Sequence, residues 1–112
     1  MNALSNSVQL IGFLGKDPEF TQLEKGKKLV RLSLATNEDR KHADGTKSTD
    51  TQWHRLIAWD KKAEFISNYF KKGQKIAIQG KLTYRSYDDK EGQTKYMTEI
   101  VVSEVMRVGK ED

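Results

Sequence analysis

Trp53, Arg55, Ile57 and Trp59 alternate with His54, Leu56 and Ala58. In an extended strand the two tryptophans and the arginine therefore share one face. Further along, Lys81, Thr83, Arg85 and Tyr87 fall on a common face in the same way. A packed core does not take guanidinium groups on such a stripe, because a buried unpaired charge is costly. Both faces are therefore expected to be open. Rings interleaved with cations on an open strand face suit two kinds of partner. Single-stranded nucleic acid stacks its bases on aromatic rings at about 1–3 kcal/mol each while Lys and Arg follow the phosphates. Protein interfaces are also enriched in Trp and Arg.

Other chemistry finds little support. The chain has no Cys, which removes disulfides, thiolate metal sites and a cysteine nucleophile. Two His are too few for a histidine-rich metal centre. The stretch Gly12-Phe13-Leu14-Gly15 matches no phosphate-binding loop. Asp88-Asp89 reads as a turn pair rather than a metal site. No enzyme activity, cofactor or metal is expected. No apolar run has the length of a membrane span. Met1-Asn2-Ala3-Leu4-Ser5-Asn6 has neither the basic nor the apolar part of a secretory signal, so a soluble cytoplasmic protein is expected.

The chain has 112 residues and a net charge of +4, enough for one domain. The charge is concentrated. From Trp53 to Arg85 eight bases (Arg55, Lys61, Lys62, Lys71, Lys72, Lys75, Lys81 and Arg85) stand against two acids, Asp60 and Glu64. This segment alone carries more than the whole net charge, and it is the one that holds the tryptophans. That pattern fits a nucleic-acid surface, although a solubilising lysine face has the same signature.

The elements that must position these residues are short. Val8–Leu14 is a strand candidate, followed by a turn at Gly15-Lys16-Asp17-Pro18. Glu24–Lys27 reads as a hairpin turn leading into Leu29–Thr36, where Val30, Leu32 and Leu34 alternate with Arg31 and Ser33. Asn37–Asp50 has only Ala43 as an apolar residue and is expected to be a long functional or mobile loop. Thr51–Trp59 is the third strand. Asp60 is a candidate cap for a helix over Lys61–Phe70, in which Ala63, Ile66 and Phe70 form one apolar stripe. Gly73 is a candidate for the left-handed position after that helix. Gln74–Tyr87 is too long for a flat strand, and Gly80 is expected to bend or bulge it. Asp88–Gln93 is a turn and Thr94–Val105 the last strand. Three strands, a helix and two strands predict an all-β OB-fold: a five-stranded Greek-key barrel with one short helix between strands 3 and 4.

In this order and spacing several motifs become recognisable. They are Val8–Gly15 followed by Lys16-Asp17-Pro18-Glu19; Leu32–Thr36; Gln52-Trp53-His54-Arg55; Ala63-Glu64 followed by Tyr69-Phe70-Lys71-Lys72-Gly73; Ile78-Gln79-Gly80-Lys81-Leu82; and Thr98–Val102. The chain resembles the bacterial single-stranded DNA-binding protein family from about Ser5 to Val105. The resemblance implies an OB-fold domain over residues 1–108. It also implies a homotetramer, or a dimer, that binds single strands in replication, recombination and repair. It places base-stacking aromatics at Trp53, Trp59 and Tyr87, phosphate contacts at Arg55, Lys61, Lys72 and Arg85, and His54 at a position linked to subunit assembly.

There are departures from the family pattern. Arg40 stands where many members carry a Trp; a guanidinium can still stack and pair with phosphate. Ser7 replaces a common basic residue. Phe13 replaces a usual polar residue and is a candidate either for extra stacking or for plain packing. Members usually continue into a flexible linker and an acidic tip that recruits replication and repair enzymes; residues 109–112 are expected to be a short end without that tip, which puts such protein partners in doubt. The alternative is an OB-fold primosome or protein-interaction module with weak nucleic-acid binding.

Overall fold

The structure, a computed structural model, describes residues 3–109. Residues 110–112, most of the short end after the expected domain, lie outside the described residues. Six strands and one helix follow in order: β1 (Val8–Leu14), β2 (Glu19–Gln22), β3 (Lys28–Lys41), β4 (Lys47–Trp59), α1 (Asp60–Tyr69), β5 (Lys75–Asp88) and β6 (Thr94–Arg107). The sheet order is β1-β5-β6-β4-β3-β2, and β1 also pairs with β3. That last pairing, through Phe13↔Ala35 and Leu14↔Leu34, closes β1, β5, β6, β4 and β3 into a five-stranded barrel. Short β2 hangs on β3 as a hairpin outside the ring. The helix lies between the third and fourth barrel strands, so this is the OB-fold that the pattern predicts.

Closure is set by alternation. Val30, Leu32 and Leu34 of β3, Leu56 and Ala58 of β4, Ile76 and Ile78 of β5 and Ile100 and Val102 of β6 point inward and are buried. The residues between them point out. Helix α1 packs against β3, β2 and β4. Its Ala63 and Ile66, together with Phe70 just beyond its end, complete the core. Gly80 lies at the irregularity expected there, although the extra residue is on the facing strand β6 rather than on β5. A Cβ on Gly80 would lie 2.2 Å from the Val101 carbonyl oxygen, and the β5–β6 ladder shifts register between Gln79 and Gly80. Ser103 on β6 is left without a partner in the ladder, and its hydroxyl donates to the Gln79 carbonyl at 3.0 Å.

Three expectations need correction. Asn37–Asp50 is not a loose loop. Strands β3 and β4 stay paired from Leu29↔Trp59 out to Lys41↔Lys47, leaving only the tip around His42–Thr46 unpaired. Side-chain bonds lace the ribbon: Thr51 donates to Asn37 at 2.8 Å and Thr49 to Asp39 at 3.0 Å. Asp60 does not cap α1 through its side chain. Trp59 occupies the cap position, and Asp60 is the first helical residue with a left-handed φ of 54°. Its carboxylate instead accepts the backbone N–H of Lys28 at 3.3 Å, tying the helix start to β3. Gly73 does take a positive φ of 88°, but in the turn after the helix. The helix itself ends at Tyr69, and Phe70 caps it, its N–H donating to the Ile66 carbonyl.

Candidate nucleic-acid interface

The outer face of the sheet is built from the residues that alternate with the core. Across β3 and β4, Ala35 faces Trp53, Ser33 faces Arg55, Arg31 faces Ile57 and Leu29 faces Trp59. Cross-strand partners lie on the same side, so these residues form one surface. On β5 and β6 the pairs Thr83↔Glu99, Arg85↔Met97 and Tyr87↔Lys95 continue it.

Three adjoining concavities open on this surface, the first of them also reaching residues of the inward side at the barrel mouth. The first is lined by Ser33, Trp53, His54, Arg55, Leu82, Thr98 and Ile100. Ser33 and Arg55 also line the second, together with Lys16, Glu19, Arg31, Arg85, Met97 and Glu99. Arg31, Arg85 and Glu99 join the second to the third, where Trp59, Leu23, Ile57, Thr83 and Tyr84 complete the wall. The result is one groove with a tryptophan at each end and three arginines between. Six residue steps of strand separate the tryptophans, about 20 Å.

The Trp53 ring is 62% exposed and lies over Gly15, where a Cβ would come within 2.4 Å of Cζ3. Glycine at 15 thus gives the indole its seat. Phe13 extends this end of the groove. It pairs with Ala35, which pairs with Trp53, so the two rings lie on one face two strand spacings apart, about 10 Å. The Phe13 ring also has the Lys75 ammonium 5.9 Å from its centroid. Trp59 is 39% exposed, and Tyr87 lies further out on the β5–β6 hairpin, 44% exposed.

The arginines differ in what holds them. Arg85 donates from Nε to Glu99 Oε1 at 2.8 Å, and Nη2 lies 3.3 Å from Met97 Sδ. The Glu99 carboxylate is the one buried polar or charged side chain among the described residues. Its hydrogen bond and charge raise the Arg85 pKa above the ordinary arginine value. Half of the Arg85 guanidinium is thus committed to the protein. Arg31 and Arg55 make no ion pair among the described residues. At the rim, the Lys16 ammonium lies 2.7 Å from Glu19, and that hydrogen bond holds the Glu19 carboxyl below the usual carboxylate range. An acid at the groove edge is thereby offset.

The remaining candidates stand elsewhere. Arg40 lies far out on the β3–β4 ribbon, paired with Asp50 at 2.6 Å. By register it falls on the side of His54 rather than that of Trp53. The half-buried His54 ring bonds Thr36 Oγ1 at 2.9 Å. Lys61 sits on the first turn of α1. Lys72 follows the helix, where its backbone N–H donates to Asp17 at 2.8 Å. Arg31 was not singled out from sequence, yet it lines two of the three concavities. Its alternation with Val30 and Leu32 was visible, but only the β3–β4 pairing turns that position into a neighbour of Arg55.

The single-strand binding protein family model matches residues 5–108. Single-stranded DNA-binding protein 1 of Chlorobaculum tepidum is 44% identical over 108 residues, spanning 96% of this chain and 67% of that protein. The protein of the same name from Xylella fastidiosa is 40% identical over 106 residues, 94% of this chain and 78% of the relative. Among solved structures, a Plasmodium falciparum SSB complex with ssDNA superposes with a TM-score of 0.83 at 31% identity, covering 93% of this chain and 95% of the other. On the family match over residues 5–108 and these relatives, the chain belongs to the single-strand binding protein family.

Proposed function

We propose that this protein binds single-stranded DNA without reading its sequence. The observation that carries the reading is the groove from Trp53 to Trp59, with exposed rings at its ends and Arg31, Arg55 and Arg85 between them. Bases stack on the rings whatever their identity, and the guanidinium groups hold the intervening phosphates. A duplex keeps its bases stacked inside and cannot use the rings. Tyr87 and Phe13 extend stacking at the two margins, and Lys61, Lys72 and Arg40 supply charge further out. The relatives named for single-stranded DNA support this reading. No reaction is assigned to the chain. Its role is to protect and organise strands exposed in replication, recombination and repair, in the cytoplasm of a bacterium.

The protein works as a homo-oligomer, a tetramer by family likeness, with a dimer as the simpler form. Support comes from the outer face of β1, β5 and β6. There Ile11 and Met106 are 57% and 63% exposed on either side of Ala77, in an apolar trough bordered by Gln9, Gln79 and Glu104. A second copy of this face would cover it. His54 lies away from this trough, by the Trp53 concavity, so any part it has in assembly runs through another contact.

The test is competition. A labelled oligo(dT) bound to the protein should be displaced by unlabelled single-stranded DNA of mixed sequence, and by duplex of equal length only at far higher concentration. RNA of the same length tests the role of the 2′-hydroxyl. Equal displacement by duplex and single strand would overturn the reading. Failure to bind any strand in moderate salt would favour a protein-interaction module.

A further inference from the structure

The outward side of α1 carries two rings that the groove does not use. Phe65 and Tyr69 are 45% and 57% exposed, with ring centroids 5.1 Å apart. Phe65 also meets Phe70 edge-on at 5.7 Å, which fixes its position. Lys61, Phe65 and Tyr69 follow one another at four-residue steps, so they form an exposed stripe along the helix beside the side that buries Ala63 and Ile66. Each step rises about 6 Å along the helix. The stripe begins two residues after Trp59, where the groove ends, and points toward the exposed Lys71 and Lys72.

Its charge is one-sided. The acids nearby are Asp60, Glu64 and, at the far end, Asp17, whose carboxylate is engaged by the Lys72 backbone N–H. Glu64 is ion-paired with the Lys28 ammonium, and Asp60 accepts the Lys28 backbone N–H. Lys62 lies 3.9 Å from Glu104. Among the described residues, Lys61, Lys71 and Lys72 have no ion pair. Exposed rings rimmed by unpaired cations, continuous with a groove that ends on a tryptophan, have the composition that accepts stacked bases and phosphates.

We propose that the Lys61–Phe65–Tyr69 stripe, with Lys71 and Lys72 at its far end, is a second stacking surface over which a DNA strand continues after leaving Trp59. The proposal rests on the single-strand reading above and adds a path to it. Phe65 and Tyr69 take bases on their faces, and the lysines take the phosphates before and after them.

The experiment compares the wild type with Phe65→Ala/Tyr69→Ala on oligo(dT) of about four and about sixteen nucleotides, the bounds of site size for a single OB-fold. The ratio of long-strand to short-strand affinity should fall at least about fivefold, the lower end for one lost base stack. Phe65→Tyr, which keeps a ring, should restore most of it. In the wild type, photocrosslinking with oligonucleotides containing 5-iododeoxyuridine should label the peptide of α1. Thermal melting guards against unfolding of the double variant. An unchanged affinity ratio with no crosslink on α1 would overturn the stripe. The groove would survive that result if Trp53→Ala still weakened both oligonucleotides. A wild type that binds neither would sink both. Crosslinks confined to the Trp53 side, with the double variant instead losing self-association, would make the stripe a protein contact and overturn the proposal.

Discussion

On the proposed reading, residues in the groove divide between holding DNA and holding the protein. Arg85 is expected to do both, and its removal should show it. Without the guanidinium, Glu99 keeps a buried carboxylate with no cation, and an unsatisfied buried acceptor costs about 1–3 kcal/mol. Arg85→Ala should therefore lower both oligo(dT) affinity and the urea midpoint. Adding Glu99→Gln should recover the stability and leave the affinity low. An unchanged midpoint in the single variant would show that the ion pair carries no stability. Gly15 gives a cleaner test of geometry. A methyl group there would meet Trp53 Cζ3 at 2.4 Å. Gly15 lacks a positive φ, so alanine costs it no backbone strain. Gly15→Ala should displace the indole and weaken oligo(dT) binding about tenfold, within the range for one stacked base. Its melting temperature should stay near that of the wild type. Much of this division was legible in sequence. Alternation through Thr51–Trp59 placed Trp53, Arg55 and Trp59 on one face and His54, Leu56 and Ala58 on the other, as the structure has them. The partnership of Arg85 with Glu99 was not legible, because the two residues meet only once β5 and β6 are in register.

At the scale of elements, the strands that face the core were readable and those that do not were missed. Val30, Leu32 and Leu34 alternate because one side of β3 fills the barrel. Beyond Thr36 the same strand leaves the core, both sides meet water, and no periodicity remains to mark it. Asn37–Asp50 therefore reads as a loop, although it is a ladder pinned by polar cross-strand pairs. Its one legible sign is Asp44-Gly45, a turn pair, with Gly45 at a φ of 89°. Asp44 accepts from the Thr46 hydroxyl and backbone N–H, and these bonds hold its carboxyl below the ordinary aspartate range. The bulge was legible twice. Gly80 marks it on β5. On β6 the apolar rhythm of Ile100 and Val102 slips to Val105, one residue out of step, around Ser103. Gly80→Ala would drive a Cβ into the backbone of Val101, which can yield only by moving the strand. Overpacking of this kind costs about 1–3 kcal/mol, so the urea midpoint should drop with the slope unchanged. A midpoint equal to that of wild type would mean that the strands can part there freely.

For the whole molecule, two hairpins reach past the barrel. The radius of gyration is 16.4 Å, against about 13 Å for a compact chain of this length. The β5–β6 hairpin carries Tyr87 and the β3–β4 ribbon carries Arg40, so on the proposed reading both are expected to touch a bound strand or a neighbouring copy. The trough around Ile11, Ala77 and Met106 lies on the barrel itself, apart from the Trp53–Trp59 groove. Assembly and DNA binding should therefore separate. Ile11→Glu would place charges against each other in a two-fold contact and should shift sedimentation toward the monomer. Short oligo(dT), which fits within one groove, should still bind. An unchanged oligomer in that variant would move the interface elsewhere.

The central claim is that the two tryptophans lie against bases. Titrating oligo(dT) while following intrinsic tryptophan fluorescence tests it most directly, because the chain has only Trp53 and Trp59 to report. The account predicts strong quenching by the single strand and little by duplex. Half of the signal change should be lost in each of Trp53→Phe and Trp59→Phe, and midpoints should move to higher concentration with salt as phosphate contacts weaken. Unquenched fluorescence at low salt, from a folded protein under saturating oligo(dT), would contradict it.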